Sequence, residues 1–201
     1  MTLLKRWRQN RSGATMVEVG LLAPIVLLIL VAIVELSIFV WQWNSLQRTV
    51  RTGVRLATMS APVPSELSSL VSSSVGTSVG DYVISCDGST RTCSSGNYDT
   101  TAMNRILTGG DGICASQTNV SRRGLCDMMP GIQEQNIYIE YRSSLNEVSG
   151  APGGLQPIVT LKVKNVGLSY TLLSAFNGAL NSLPSTSATA MGQDLSEGAF
   201  K

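Results

Sequence analysis

A long uncharged run near the N-terminus constrains this chain more than any other feature of its sequence. Every residue from 19 to 34 is uncharged and nearly all are apolar, and apolar residues resume after Glu35. A helix needs about 20 such residues to cross the hydrocarbon core of a bilayer. Residues 14–43 supply that length, and Trp41 and Trp43 stand where the far membrane interface is expected. We therefore predict a transmembrane helix rather than a removed signal peptide, whose apolar region is typically shorter, about 7–15 residues.

The helix is predicted to continue beyond the membrane as an amphipathic segment over residues 45–60. One face carries apolar residues at helical spacing, namely Leu46, Val50, Val54 and Ala57. A different face carries three arginines, namely Arg48, Arg51 and Arg55. Pro62 and Pro64 then end the helix, because proline lacks a backbone donor and disfavours helix in the residue before it. The whole element is expected to be roughly 70 Å long.

Charge is distributed unevenly along the chain, which suggests an orientation. The first thirteen residues contain no acid and four basic residues, namely Lys5, Arg6, Arg8 and Arg11. This compact cluster places the N-terminus in the cytoplasm, although the three arginines after the span compete with it. Without the four leader charges, 11 basic residues face 13 acidic ones. No basic surface for nucleic acid is therefore predicted.

Four cysteines lie downstream of the apolar run, at Cys86, Cys93, Cys114 and Cys126. An even number in an exported segment favours two disulfides, and we predict the local pairs Cys86 with Cys93 and Cys114 with Cys126. The alternative is a zinc site with four thiolate ligands. None of the spacings is C-x-x-C, so disulfides are preferred and no metal is expected.

The region after the helix predicts a small α+β domain. Apolar and polar residues alternate over residues 137–142 and again over 159–164, which is typical of half-buried strands. Further strands are expected over 81–86 and 187–191. A short helix is expected within residues 65–80, a loop held by the disulfides over 86–126, and a helix covering the sheet over 168–180. The predicted organisation is a leader at 1–13, a membrane helix with its extension at 14–60, and an antiparallel-sheet domain at 61–201.

The residues between the leader and the membrane helix suggest a function. They read Ser12-Gly13-Ala14-Thr15-Met16-Val17-Glu18. A carboxylate at the edge of a hydrocarbon segment is costly, so Glu18 predicts a partner. If the chain is cut after Gly13, the new α-amino group of Ala14 lies four residues from Glu18 and provides a counter-ion, within one subunit or between neighbours.

This pattern resembles the type IV prepilin processing signal, with glycine at the cut and glutamate at the fifth position after it. Together with Leu21-Leu22-Ala23-Pro24, Ile33-Val34-Glu35 and Val50-Arg51-Thr52-Gly53-Val54-Arg55, it resembles the TadE-like family over residues 5–60. Members of that family are pseudopilins of the tight adherence (Tad) pilus system.

The resemblance implies a site, a location and partners. An inner-membrane prepilin peptidase is expected to cut between Gly13 and Ala14, and the mature minor pilin to assemble with other pilins and pseudopilins on an inner-membrane platform. Glu18 is expected to dock onto a neighbour or the assembly machinery. Glu35 is expected either to reach the lipid interface or to contact Arg48 or Arg51 of a staggered neighbour. The alternative for these arginines, which we prefer, is a face that is solvated or in contact with lipid headgroups. The domain after the helix is expected in the periplasm or on a surface pilus.

Two further classes of protein were weighed against this one. A permanently anchored periplasmic binding module could use the region between Cys86 and Cys126. An enzyme is not expected, since the chain has no histidine and no recognisable pair of nucleophile and base. No cofactor is predicted. N-terminal cleavage separates the pilin-like subunit from the anchored module.

Overall fold

One helix dominates the molecule. The computed structural model describes residues 11–72, 80–114, 123–143, 156–167 and 182–192. Helix α1 (Arg11–Met59) runs for 49 residues and contains Pro24, so it is roughly 74 Å long at about 1.5 Å per residue. It confirms the predicted long apolar helix and its continuation. The described helix includes Arg11, Ser12 and Gly13, which were predicted as part of the leader.

Within the described residues the sheet has five strands, which are β1 (Val83–Asp87), β2 (Thr92–Cys93), β3 (Ile137–Arg142), β4 (Ile158–Val163) and β5 (Thr186–Met191). Their order is β2-β1-β3-β4-β5, and each neighbouring pair is antiparallel. The predicted strands are thus present and the α+β class is confirmed. The register places Ile139 of β3 opposite both Cys86 of β1 and Leu161 of β4.

In the part of the chain that the structure describes, three short helices accompany the sheet, namely α2 (Ser65–Ser72), α3 (Thr100–Thr108) and α4 (Leu125–Met128). A 3-10 turn at Glu134–Asn136 leads into β3. Helix α2 agrees with the short helix expected within residues 65–80. The helix predicted over 168–180 lies outside the described residues.

Helix α3 corrects the prediction that residues 86–126 form only a loop. The carboxylate of Asp99 caps its N-terminus by accepting hydrogen bonds from the backbone N–H groups of Thr101 and Ala102. Gly109 ends it in the left-handed conformation, with φ 75°. Ala102, Met103 and Ile106 are buried on one face. Capping and this small apolar face stabilise a helix in a segment that is otherwise rich in Ser, Gly and Thr.

The core lies between the sheet and the second half of α1. Alternate residues of β3 and β4 face the helix and are fully buried, namely Ile137, Ile139, Tyr141, Val159, Leu161 and Val163. The helix contributes the face predicted from its spacing, namely Leu46, Val50, Val54 and Ala57. The same half of α1 packs along β4 and β5 and touches α3 and α4. The membrane helix therefore continues directly into the core of the domain.

Gly53 allows this helix to approach the sheet closely. A Cβ atom at this position would lie 2.8 Å from Cδ2 of Leu161 and nearer still to Cδ2 of Leu125. Both leucines are fully buried and have little room to move. A residue without a side chain is therefore required where α1, α4 and β4 meet.

Candidate functional site on the long helix

The first half of α1 stands clear of the rest of the described chain. The large apolar side chains from Met16 to Val34 are between 53 and 79% exposed, apart from the half-buried Val31. This stretch of nineteen residues is about 28 Å long, close to the hydrocarbon thickness of a bilayer at about 30 Å. Residues Met16–Met59 form a helix long and apolar enough to cross a membrane. An exposed apolar surface of this size indicates burial in lipid or against other helices.

Gly13 and Ala14, the predicted processing site, lie in the first turn of α1. Gly13 is exposed, and no atom lies within 4 Å of the position that a Cβ would take there. The position is therefore accessible on the surface of the described helix, as a peptidase would require.

Glu18 follows one helical turn after Ala14, on the exposed part of α1. Four residues correspond to an axial rise of about 6 Å, which is the separation at which opposite charges on a helix interact. An amino group created at Ala14 would therefore stand within reach of the Glu18 carboxylate. The prediction that these two groups form a pair stays a prediction.

Glu35 marks the point at which the helix meets the domain. Its side chain is only 5% exposed, and it is the first buried one among the side chains of α1 that the structure describes. It lies one residue beyond the exposed apolar stretch, and Phe39, one turn further along, packs against the core. The chain itself thus covers this acid near the expected membrane boundary. A contact between Glu35 and a neighbouring subunit stays a prediction and would require this cover to open.

The three arginines of the amphipathic segment lie on the face of α1 that points away from the domain. Arg48, Arg51 and Arg55 are exposed, while Leu46, Val50, Val54 and Ala57 on the other face are fully or almost fully buried. The predicted separation of the two faces is confirmed. In the described part of the chain these arginines form no hydrogen bond through the side chain and no ion pair.

The cysteines come together in the local pairs predicted from the sequence. Cys86 is bonded to Cys93, directly opposite on the β1–β2 hairpin, and Cys114 is bonded to Cys126 of α4. Cys86 and Cys126 are buried, whereas Cys114 is exposed. The second disulfide joins the segment after α3 to the start of α4.

A shallow polar depression on the outer face of the sheet was missed by sequence reasoning. It has a volume of about 480 Å³ and is lined by Asp87, Tyr138, Glu140, Thr160, Lys162, Lys164 and Ser187. The Nζ atom of Lys164 lies 2.6 Å from Oδ2 of Asp87. Burial alone would raise the pKa of Asp87, but hydrogen bonds from Lys164 and Ser89 and the charge of Lys164 hold that pKa below its ordinary value. Alternation along each strand could have predicted the outward residues, but not which strands would lie side by side.

The described residues offer no obvious metal centre. Among them, no three His, Cys, Asp or Glu side chains lie close enough together to hold an ion. The features that could carry a function therefore concentrate on α1: its first turn, Glu18, the exposed apolar half and the arginine face.

These features define a class of protein in which one helix, able to cross a membrane, carries a small disulfide-containing α+β domain. Residues 13–55 match the family described as TadE-like protein. The predicted resemblance is confirmed over this segment, which begins at Gly13 and ends at the last residue of the arginine face. A TadE-like segment indicates a structural protein associated with the Tad pilus. No curated protein and no solved structure matches the chain.

Proposed function

We propose that this chain is a pilin-like subunit, a minor pilin or pseudopilin, that acts in the assembly of Tad pili. Its N-terminus lies in the cytoplasm, α1 crosses the inner membrane, and the disulfide-containing domain lies in the periplasm. A prepilin peptidase cuts between Gly13 and Ala14, and the mature chain then contacts other pilins, pseudopilins and the membrane assembly platform.

One observation carries this proposal: α1 is divided into a free apolar half and a half that belongs to the core. Only the second half holds the domain, through the face that contains Leu46 and Val50. The first half can therefore exchange lipid contacts for contacts with other apolar helices while the domain keeps its fold. Inside a membrane, such helix association is driven by van der Waals packing, and small residues at the interface let the helices approach closely.

The carboxylate of Glu18 can align the first half of α1 with the helices of neighbouring subunits. Removal of the leader takes away four basic charges and creates one amino group at Ala14. In a low-dielectric environment that group and the Glu18 carboxylate attract strongly, and an unpaired carboxylate costs about 3 kcal/mol or more. Pairing within a subunit or between subunits favours one axial position of the helices over others.

The direct test is the N-terminal residue and intact mass of the protein from membranes of cells with and without prepilin peptidase. We expect a start at Ala14 only when the peptidase is present. Two glycines provide a matched pair, because a Cβ at either Gly13 or Gly20 would meet no atom within 4 Å. Gly13→Leu should block cleavage, whereas Gly20→Leu should leave it intact.

A start at Met1 under all conditions, or cleavage beyond Trp43, would contradict the proposal. The first result would favour a permanently anchored binding module, and the second a secreted domain. Orientation is tested separately with protease added to spheroplasts. In cells without the peptidase, which keep the leader on the chain, the domain should be digested when disulfides are reduced, while a tag fused before Met1 stays protected.

A further inference from the structure

The exposed arginines of α1 form a continuous stripe that has no role in the fold. Arg48 and Arg55 lie two turns apart on nearly the same line, and Arg51 lies between them, within an arc of about 60° at 3.6 residues per turn. The polar neighbours Asn44 and Thr52 bond back to the helix backbone, to the carbonyl oxygens of Val40 and Arg48. The three guanidinium groups on this face therefore have no hydrogen-bond or ion-pair partner among the described residues.

Three other basic residues of the described chain, namely Arg91, Arg142 and Lys164, are paired with acids of the domain. Arg91 contacts Glu134 at 2.8 Å, and Lys164 contacts Asp87 at 2.6 Å. The arginine stripe has no such partner in the described residues and carries three positive charges over about 10 Å of helix. A surface of one sign attracts a partner of the opposite sign.

We infer that the arginine stripe binds a carboxylate-bearing segment of a different protein subunit, at a fixed height above the membrane. The inference rests on the membrane anchoring in the proposed function, but not on cleavage at Gly13. The contact surface is the stripe formed by Arg48, Arg51 and Arg55. The partner is acidic where it meets this stripe.

Height along the helix argues against lipid headgroups as the partner. The exposed apolar side chains of α1 continue to Trp41, so Arg48 lies about 10 Å, Arg51 about 15 Å and Arg55 about 21 Å beyond them. The headgroup layer adds only about 5–8 Å on each side of the hydrocarbon core, and charges are screened over about 8 Å at physiological salt. Headgroups can therefore reach Arg48, but Arg55, at the far end of the stripe, lies beyond their range, so they do not account for the stripe as a whole.

The charges of the described domain argue against a second copy of this chain. Its carboxylates are mostly used by its own fold. Asp99 caps α3, Asp127 accepts a hydrogen bond from the backbone of Gly124, and Glu140 is paired with Arg142. A different subunit that presents free carboxylates at this height is the better fit.

The test uses the full-length, membrane-embedded protein in its own cells. A photo-crosslinking amino acid at Thr52, in the middle of the stripe, reports on contacts there, and the same probe at the exposed Ser187 on the outer sheet face is the positional control. One variant combines Arg48→Gln, Arg51→Gln and Arg55→Gln, and a second carries lysine at the same three positions. Arginine, glutamine and lysine have similar helix propensities, so all variants should fold alike. A further control, Arg105→Gln with Lys162→Gln, removes charge elsewhere on the exposed surface.

We expect a protein adduct at Thr52 whose crosslinked peptide, identified by mass spectrometry, contains Asp or Glu. Its yield should fall about tenfold in the glutamine variant, the combined effect of three exposed ion pairs, and persist in the lysine variant and in the charge control. Arg51→Glu should abolish the adduct, and a change of the partner's acid to lysine should restore it.

Several outcomes would overturn the inference. These are an adduct with lipid alone, an adduct with a second copy of this chain, no adduct, or an adduct that survives in the glutamine variant. The N-terminal residue is determined in the same samples. A processed protein without a charge-dependent adduct refutes the arginine contact alone, whereas an unprocessed protein with that adduct refutes the pilin proposal alone.

Discussion

The backbone N–H of Val63 donates a hydrogen bond of 3.3 Å to the hydroxyl of Tyr141, across 78 residues of sequence. Val63 follows the end of α1, between the two prolines, and Tyr141 lies in the central strand β3. Both residues are fully buried, and burial raises the pKa of Tyr141 well above its ordinary value, so its hydroxyl stays neutral. This bond fixes where the chain leaves the long helix relative to the sheet.

Replacing Tyr141 with phenylalanine should destabilise the domain. The N–H of Val63 would stay buried without a partner, at a cost of about 1–3 kcal/mol in the free energy of unfolding. The measurement is urea unfolding of the full chain in mild detergent, followed by near-UV circular dichroism. Tyr138→Phe, on the outer face of the same strand, is the control and should change stability by less than about 0.5 kcal/mol. Equal losses in both variants would show that the Val63 contact is unimportant.

Close packing at Gly53 gives a second prediction. Leucine at this position would collide with Leu125 and Leu161, both buried, and should lower the free energy of unfolding by about 3 kcal/mol or prevent folding. Gly20→Leu is the matched control, because it lies on the same helix in open space. The amount of protease-resistant domain in membranes measures the difference. If Gly53→Leu leaves as much resistant domain as Gly20→Leu, the close approach of α1 to β4 is wrong.

The ion pair between Asp87 and Lys164 predicts a pH dependence. The pKa of Asp87 is lowered in the folded state, so the pair stabilises the fold above the unfolded pKa of about 3.9, and this stabilisation is lost as pH falls through the lowered value. At neutral pH Asp87→Asn should therefore be less stable than the natural chain by about 1 kcal/mol. The two should converge as pH falls below about 4.

The partner residue provides the control for this titration. Lys164→Gln removes the charge and the hydrogen bond that lower the pKa of Asp87, so it should lose a similar amount of stability at neutral pH. The double variant should cost little more than either single one. Additive losses, or a difference that persists below pH 4, would contradict a stabilising pair.

Much of the fold could be predicted because it depends on local periodicity. Alternation identified β3 and β4, and helical spacing identified the buried face of α1 around Val50 and Val54. Helix α3 was missed because its nine residues lie in a segment of loop-like composition. Its signals were nevertheless present, in the cap at Asp99 and the glycine at Gly109.

The arrangement between distant elements could not be predicted in the same way. Lys164 and Asp87 are 77 residues apart and meet only through the pairing of β1, β3 and β4. The burial of Glu35 depends likewise on where the domain folds back over the helix. For the candidate site, the sequence identified Gly13, Ala14 and Glu18 by pattern, but the three-dimensional structure was needed to show that the arginine stripe has no partner among the described residues.

The two disulfides should differ in their resistance to reduction. A thiolate must reach a sulfur atom to break the bond, and Cys114 is exposed whereas Cys86 is fully buried. Mild reductant should therefore open Cys114–Cys126 first, while Cys86–Cys93 stays closed until the domain unfolds. Alkylation followed by peptide mass spectrometry distinguishes the two bonds over time. Simultaneous reduction, or earlier loss of Cys86–Cys93, would mean that the β1–β2 hairpin opens more readily than its buried position indicates.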